Sequence, residues 1–187
     1  MDLTFSLKNV APGDYTDDSG KTGALLVDRT FYCFCTQFFH DTSPPVHVRK
    51  NDLASGASIV GLSPEANWLY LCGATKVENN EAHFLDCDSV TFTYATFSGD
   101  DTPQVGYADP SNSISHPVAI LKPTPVREAR VFTVKPTEGK IRRLVFMAKS
   151  NTLFDAITFN NVASSGVVFD KNVLGNEVPE WAKAMTK

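Results

Sequence analysis

The chain has 187 residues, of which 42% are hydrophobic and 20% charged, with 13 Phe, 5 Tyr and 2 Trp. That length can bury a core without disulfides or metal, and the composition excludes disordered, collagen-like and coiled-coil proteins. A formal net charge of −4 and a pI near 5.5 argue against a dedicated nucleic-acid surface.

Met1-Asp2-Leu3-Thr4-Phe5 has neither the basic start nor the apolar run of a secretory signal, so synthesis in a cytosol is expected, with a virion as one final destination. No apolar run approaches the about 20 residues of a membrane helix, and no lipidation signal is present. Leu3 to Val10 alternates with period two, placing Leu3, Phe5 and Leu7 on one face of a strand. Ala11-Pro-Gly-Asp breaks it, and Tyr15 to Gly23 reads as a polar loop. Ala24 to His40 is strand-prone but too long for one strand, so a split near Asp28-Arg29 is expected. Short strands follow at Val46 to Arg49, Ser58 to Leu62 and Trp68 to Cys72, the last closed by Gly73. Val77 to Ala82 reads as a hairpin turning at Asn79-Asn80. His83 to Asp86 and Val90 to Phe97 come next, with Phe92 and Tyr94 facing opposite to Thr91 and Thr93.

Ser98 to Pro117 is rich in turn formers, anchored only by Val105 and Tyr107, and reads as one long loop. Strands resume at Pro117 to Leu121, Ala129 to Lys135, Ile141 to Met147, Ala156 to Val162 and Val167 to Asp170. Many short strands with turns every 8 to 12 residues define an all-β protein, an antiparallel sandwich or a jelly-roll or barrel-like domain. One β-rich domain over residues 1–170, with the long loop at about 98–117, precedes a C-terminal arm at 171–187. In that arm Asn176 to Met185 predicts a short helix, because Val178, Trp181, Ala182 and Met185 fall on one stripe behind a capping Asn176.

Charge is unevenly distributed. Residues 1–110 carry six Lys/Arg against fifteen Asp/Glu, a net of −9; residues 111–187 carry eleven against six, a net of +5. An acidic face meeting a basic face, within the domain or between copies, is one consequence.

No catalytic constellation emerges. Cys33 and Cys35 lie inside an apolar strand, without the turn-borne spacing of zinc knuckles, so they read with Cys72 and Cys87 as reduced, buried and metal-free. His40, His47, His83 and His116 lack a helical His-x-x-x-His pair, and His83 with Asp86 and Asp88 reads as a solvated strand end. Asp14, Asp17 and Asp18, like Asp100-Asp101, form acidic loops that depart from the calcium-loop pattern. Lys135, Lys140, Arg142, Arg143 and Lys149 make the one basic stretch, and Arg142 and Arg143 point to opposite faces. No phosphate, dinucleotide or serine-hydrolase motif occurs.

The expectation is a non-catalytic assembly protein without cofactor or metal, a repeated subunit of a larger particle such as a virion capsid decoration, minor capsid or tail component. Its partners are other protein subunits, with no membrane and no nucleic acid, and Val178, Trp181 and Met185 are its candidate contacts. The alternative is a small carbohydrate-binding sandwich using Trp68, Tyr70, Tyr94, Tyr107 and Trp181 as stacking faces.

Overall fold

The structure, a computed structural model, describes residues 1–5, 7–16, 20, 23–27, 31–36, 45–50, 57–61, 67–78, 81–97, 102–110, 115–125, 128–148 and 152–170. Among them lie fifteen strands and no helix. In chain order these are β1 (Leu3–Phe5), β2 (Gly13–Tyr15), β3 (Ala24–Val27), β4 (Phe31–Thr36), β5 (Val46–Lys50) and β6 (Ala57–Gly61). β7 (Asn67–Glu78), β8 (Glu81–Asp86), β9 (Ser89–Thr96), β10 (Gln104–Ala108) and β11 (Ser115–Ile120) follow. The last four are β12 (Arg130–Val134), β13 (Arg143–Ala148), β14 (Thr152–Asn160) and β15 (Ala163–Asp170).

One sheet runs β12-β9-β14-β6-β5-β2, with β1 also paired to β14; the other runs β11-β10-β13-β7-β4-β3, with β8 on β7 and β15 on β8. The core lies between them. Phe5, Val46, Val48, Phe92, Tyr94, Val134, Phe154 and Phe159 enter from the first sheet, and Leu25, Val105, Tyr107, Leu144 and Phe146 from the second. The cause is the period-two alternation of side chains along a strand: in β9, Val90, Phe92 and Tyr94 are buried while Ser89, Thr91 and Thr93 face outward. Phe146 of the second sheet stacks on Phe154 of the first, with ring centroids 3.7 Å apart, and meets Phe92 edge-on at 4.9 Å.

A β-bulge between Asp155 and Thr158 reverses the alternation in β14, so Phe154 before it and Ile157 and Phe159 after it all face the core. Ala156 takes the left-handed conformation, φ 49°, and its N–H donates to Asp155 Oδ1 at 2.7 Å. The bulge also divides one edge of β14. β6 pairs with Thr152–Phe154, and β1 pairs with Ile157–Phe159.

β7 outruns its neighbours. Its pairing with β13 ends at Cys72 and with β4 at Gly73, and beyond that point only β8 pairs with it. β8 and β15 clothe this overhang, making a three-stranded tongue at one end of the sandwich. Its last rung places Glu78 opposite Glu81 and Glu81 opposite Asp170.

Several sequence expectations hold. Ala24–Val27 and Phe31–Thr36 form separate paired strands, split as anticipated near Asp28-Arg29, and β7 pairs antiparallel with β8 on either side of Asn79-Asn80, which lie outside the described residues. Others are corrected. Gly13–Tyr15 is a strand rather than a break, paired with β5. Gly73 does not close β7, because β8 supplies partners beyond it. Within the stretch read as a loop over 98–117, Gln104–Ala108 is β10, a central strand with Val105 and Tyr107 in the core. Gly106 is required there: a Cβ would run into the His116 carbonyl oxygen of β11. β14 begins at Thr152, four residues before the predicted start. The helix expected at 176–185, with Val178, Trp181 and Met185, lies outside the described residues.

Candidate functional site

Two features lie at opposite ends of the margin formed by edge strands β11 and β12. The first is a corner where the chain crosses from β11 to β12. Tyr94 Oη donates to the Lys122 carbonyl at 2.9 Å, and Arg130 stands opposite Tyr94 in the β12–β9 register. Thr96 N–H donates to Thr124 Oγ1 at 3.0 Å, and Thr124 N–H returns a bond to Thr96 Oγ1 at 2.9 Å. Phe97, Ile120 and Val131, on segments that border this crossing, are 60%, 63% and 69% exposed. Lys122 and Arg130 are also exposed. The described ion pairs involve neither cation.

The second feature is an open concavity of about 670 Å³ lined by Tyr107, Asp109, Pro110, His116, Thr137 and Lys140, among others. The His116 ring stacks on Tyr107 at 4.9 Å, and its Nε2 donates to Asp109 Oδ2 at 2.6 Å. The Thr137 N–H donates to Tyr107 Oη at 3.3 Å. Asp109 thereby holds the His116 ring through Nε2.

The remaining candidates are engaged in holding the fold. Asp86 receives both Nε and NH2 of Arg142, at 2.9 and 3.3 Å. Asp88 pairs with Lys140 and accepts from Asn161 Nδ2. The pair of aspartates read as a solvated strand end is thus ion-paired to the basic stretch, and Arg143 is buried, with its guanidinium over the Phe84 ring at 6.0 Å. Asp14 accepts from His47 Nδ1 and Arg49 NH2 on the same oxygen, each at 2.7 Å, so that oxygen is already engaged within the molecule. Hydrogen bonds from His47 and then Arg49 hold the Asp14 carboxyl below its usual range, and those from Lys140 and Asn161 do the same for Asp88. Stability from a depressed carboxylate is present above its unfolded pKa and fades as pH falls through the folded one. Tyr94 and Tyr107, two of the candidate sugar platforms, are 4% and 5% exposed and belong to the core. Side chains of Trp68, Tyr70, His83, Cys33, Cys35 and Cys72 are outside the described set, as are Asp17, Asp18, Asp100, Asp101, His40, Lys149 and Trp181.

Cys87 is fully buried at the bridge between Cys87 and Ile141. Burial first, then the charges of Asp86 and Asp88, push its thiol up to about 12. A folded-state pKa above the unfolded value leaves stability untouched below pH 9 and removes it progressively between pH 9 and 12. Cys87 should therefore resist iodoacetamide at pH 8 until denaturant is added, as read by mass spectrometry of its peptide. Labelling in the native protein at the rate of a free thiol would contradict this.

Among the described residues no three His, Cys, Asp or Glu side chains are placed to hold a metal ion, and no helix is long and apolar enough to cross a membrane. The chain matches no family model and no curated protein.

Proposed function

We propose that the chain is a non-catalytic assembly protein, a repeated β-domain subunit of a larger particle such as a capsid decoration, minor capsid or tail component of a virion. Strand order supports this reading. In β6-β14-β9-β12 over β7-β13-β10-β11, every connection from β6 onward changes sheet except the β10–β11 hairpin and the β7–β8 excursion. That is jelly-roll winding, an architecture of viral capsid, lectin and cupin domains. This is an analogy of fold, and fold alone does not assign function. The observation that carries the reading is this strand order, and the individually exposed apolar side chains Phe97, Ile120 and Val131 add surface that a protein contact would cover.

Size-exclusion chromatography with light scattering, and electron microscopy of the eluate, test it. Assemblies of several 20.4 kDa subunits are expected. A single subunit at about 100 µM, a concentration that detects even contacts near −5.5 kcal/mol, overturns self-assembly and leaves only attachment to a shell of other subunits. If that monomer is also retained on immobilised glycans, the carbohydrate-binding alternative replaces it.

A further inference from the structure

We propose that the concavity between the exit of β10 and the β12–β13 connection is a saccharide-binding site, with the His116 ring as its platform and the Asp109 and Glu138 carboxylates as acceptors for sugar hydroxyls. The site goes beyond the assembly reading and does not depend on it. Its platform is fixed before any guest arrives. Tyr107 belongs to the core, and its ring backs the His116 ring in a stack with an interplanar angle of 21°. Asp109 Oδ2 holds the Nε2 edge of the same ring. The His116 side chain is still 41% exposed, and it lines the concavity. The opposite wall is tied down as well. Thr137 N–H donates to Tyr107 Oη, Lys140 pairs with Asp88, and Arg142 donates to the Ala108 and Pro110 carbonyls. Gly139 takes the left-handed conformation, φ 74°, and turns the chain between Glu138 and Lys140. A site ordered in this way loses little freedom when it binds.

The chemistry of the lining selects the guest. An anion such as phosphate meets the carboxylates of Asp109 and Glu138, while the Lys140 ammonium is already engaged with Asp88. A metal ion lacks a ligand set, since among the described residues no three His, Cys, Asp or Glu side chains are placed to hold one. An organic cation has to share the carboxylates with Lys140. An apolar guest strips water from Asp109, Glu138 and Lys140 and returns no hydrogen bond. A neutral ring bearing hydroxyls suits all of these groups. Its O–H groups donate to the carboxylates, each of which has about four acceptor positions, so Asp109 keeps capacity beyond His116. Its oxygens accept from the Lys140 ammonium and the Thr137 hydroxyl. The C–H face of a pyranose lies against the electron-rich face of an aromatic ring, which His116 supplies. The volume of about 670 Å³ falls within the range of small-molecule sites. Tyr107 thus serves a sugar site from behind, as the support of His116, and not as a stacking face.

Saturation-transfer difference NMR tests the site, because it reads a bound sugar on a monomer and on a large assembly alike. The probes are the methyl glycosides of glucose, galactose, mannose and N-acetylglucosamine, each at about 10 mM, which detects even millimolar binding. At least one should receive saturation, most strongly at the C–H protons of one ring face. Asp109→Asn, Glu138→Gln and His116→Ala should each weaken that glycoside at least about tenfold, the loss expected for a hydrogen bond to a charged group or for the platform itself. Inorganic phosphate at the same concentration should not displace it. Glu138 is exposed, so Glu138→Gln keeps the fold and the test stands even where His116→Ala melts early. No transfer to any glycoside, transfer unchanged in Glu138→Gln and Asp109→Asn, or displacement by phosphate overturns the site. Light scattering on the same samples separates it from the assembly reading, because His116→Ala should leave the number of associated subunits unchanged. A chain that assembles and binds no glycoside overturns this site alone. A monomer that binds one through His116 overturns self-assembly and leaves the site standing.

Discussion

Replacing Phe92 with alanine should cost about 3–5 kcal/mol of unfolding free energy, the range for a large aromatic removed from a packed core. Phe92 is fully buried in β9 and touches aromatic partners on all sides. Its ring lies 4.9 Å from Phe146, 6.0 Å from Phe154, 5.9 Å from Phe132 and 6.2 Å from Tyr94, centroid to centroid. Phe146 belongs to the facing sheet, so the deletion removes contact across the sandwich as well as along one sheet. The Phe146–Phe154 stack cannot fill the space without leaving its own 3.7 Å geometry. At roughly 2–4 °C per kcal/mol for a chain of this size, the melting temperature should fall by about 10 °C. Thermal unfolding followed by circular dichroism reads the shift. A fall of less than about 3 °C would show that the core repacks around the gap. Val131→Ala is the control: at 69% exposed it should stay within about 0.5 kcal/mol of the natural chain.

How much of this was legible in the sequence follows from which side chains a pattern can place. Phe92 and Tyr94 could be assigned to the buried face of β9 because Thr91 and Thr93 alternate with them over a regular strand. The same rule failed at β14, where the bulge at Asp155 shifts the parity and a left-handed Ala156 leaves no mark in composition. It failed again at β10. Gly106 and the flanking Pro103 and Asp109 resemble turn formers, yet Gly106 is there because β11 approaches too closely for a side chain. The corner was invisible for a different reason. Lys122 and Arg130 belong to separate segments, and only the Tyr94–Lys122 hydrogen bond and the β12–β9 register set both beside Tyr94. Exposure of an apolar strand residue depends on whether its strand is central or at an edge, which no local pattern states.

Arg142→Ala should cost about 3 kcal/mol, the lower end of what breaking a mostly buried ion pair costs. Arg142 and Asp86 are 12% and 14% exposed, and the guanidinium grips both carboxylate oxygens while NH1 reaches the Pro110 carbonyl at 3.3 Å. The residue's own N–H donates to the Ala108 carbonyl at 2.9 Å. One side chain therefore ties the end of β8, the exit from β10 and the entry to β13. Removing it leaves the Asp86 carboxylate half-stripped of water and without a cation, beside the buried Cys87. Arg142→Lys should recover only part of the loss, since an ammonium cannot bond both oxygens and the Pro110 carbonyl in one plane. Combining Arg142→Ala with Asp86→Ala should cost less than the sum of the two single changes, by about 1 kcal/mol or more, because the second deletion removes the charge stranded by the first. The exposed Lys140–Asp88 pair supplies the contrast: 0.5 M salt should screen its small contribution, while leaving the Arg142–Asp86 coupling largely intact. Additive single losses in the urea-unfolding cycle would mean that Arg142 acts through packing and its backbone bond.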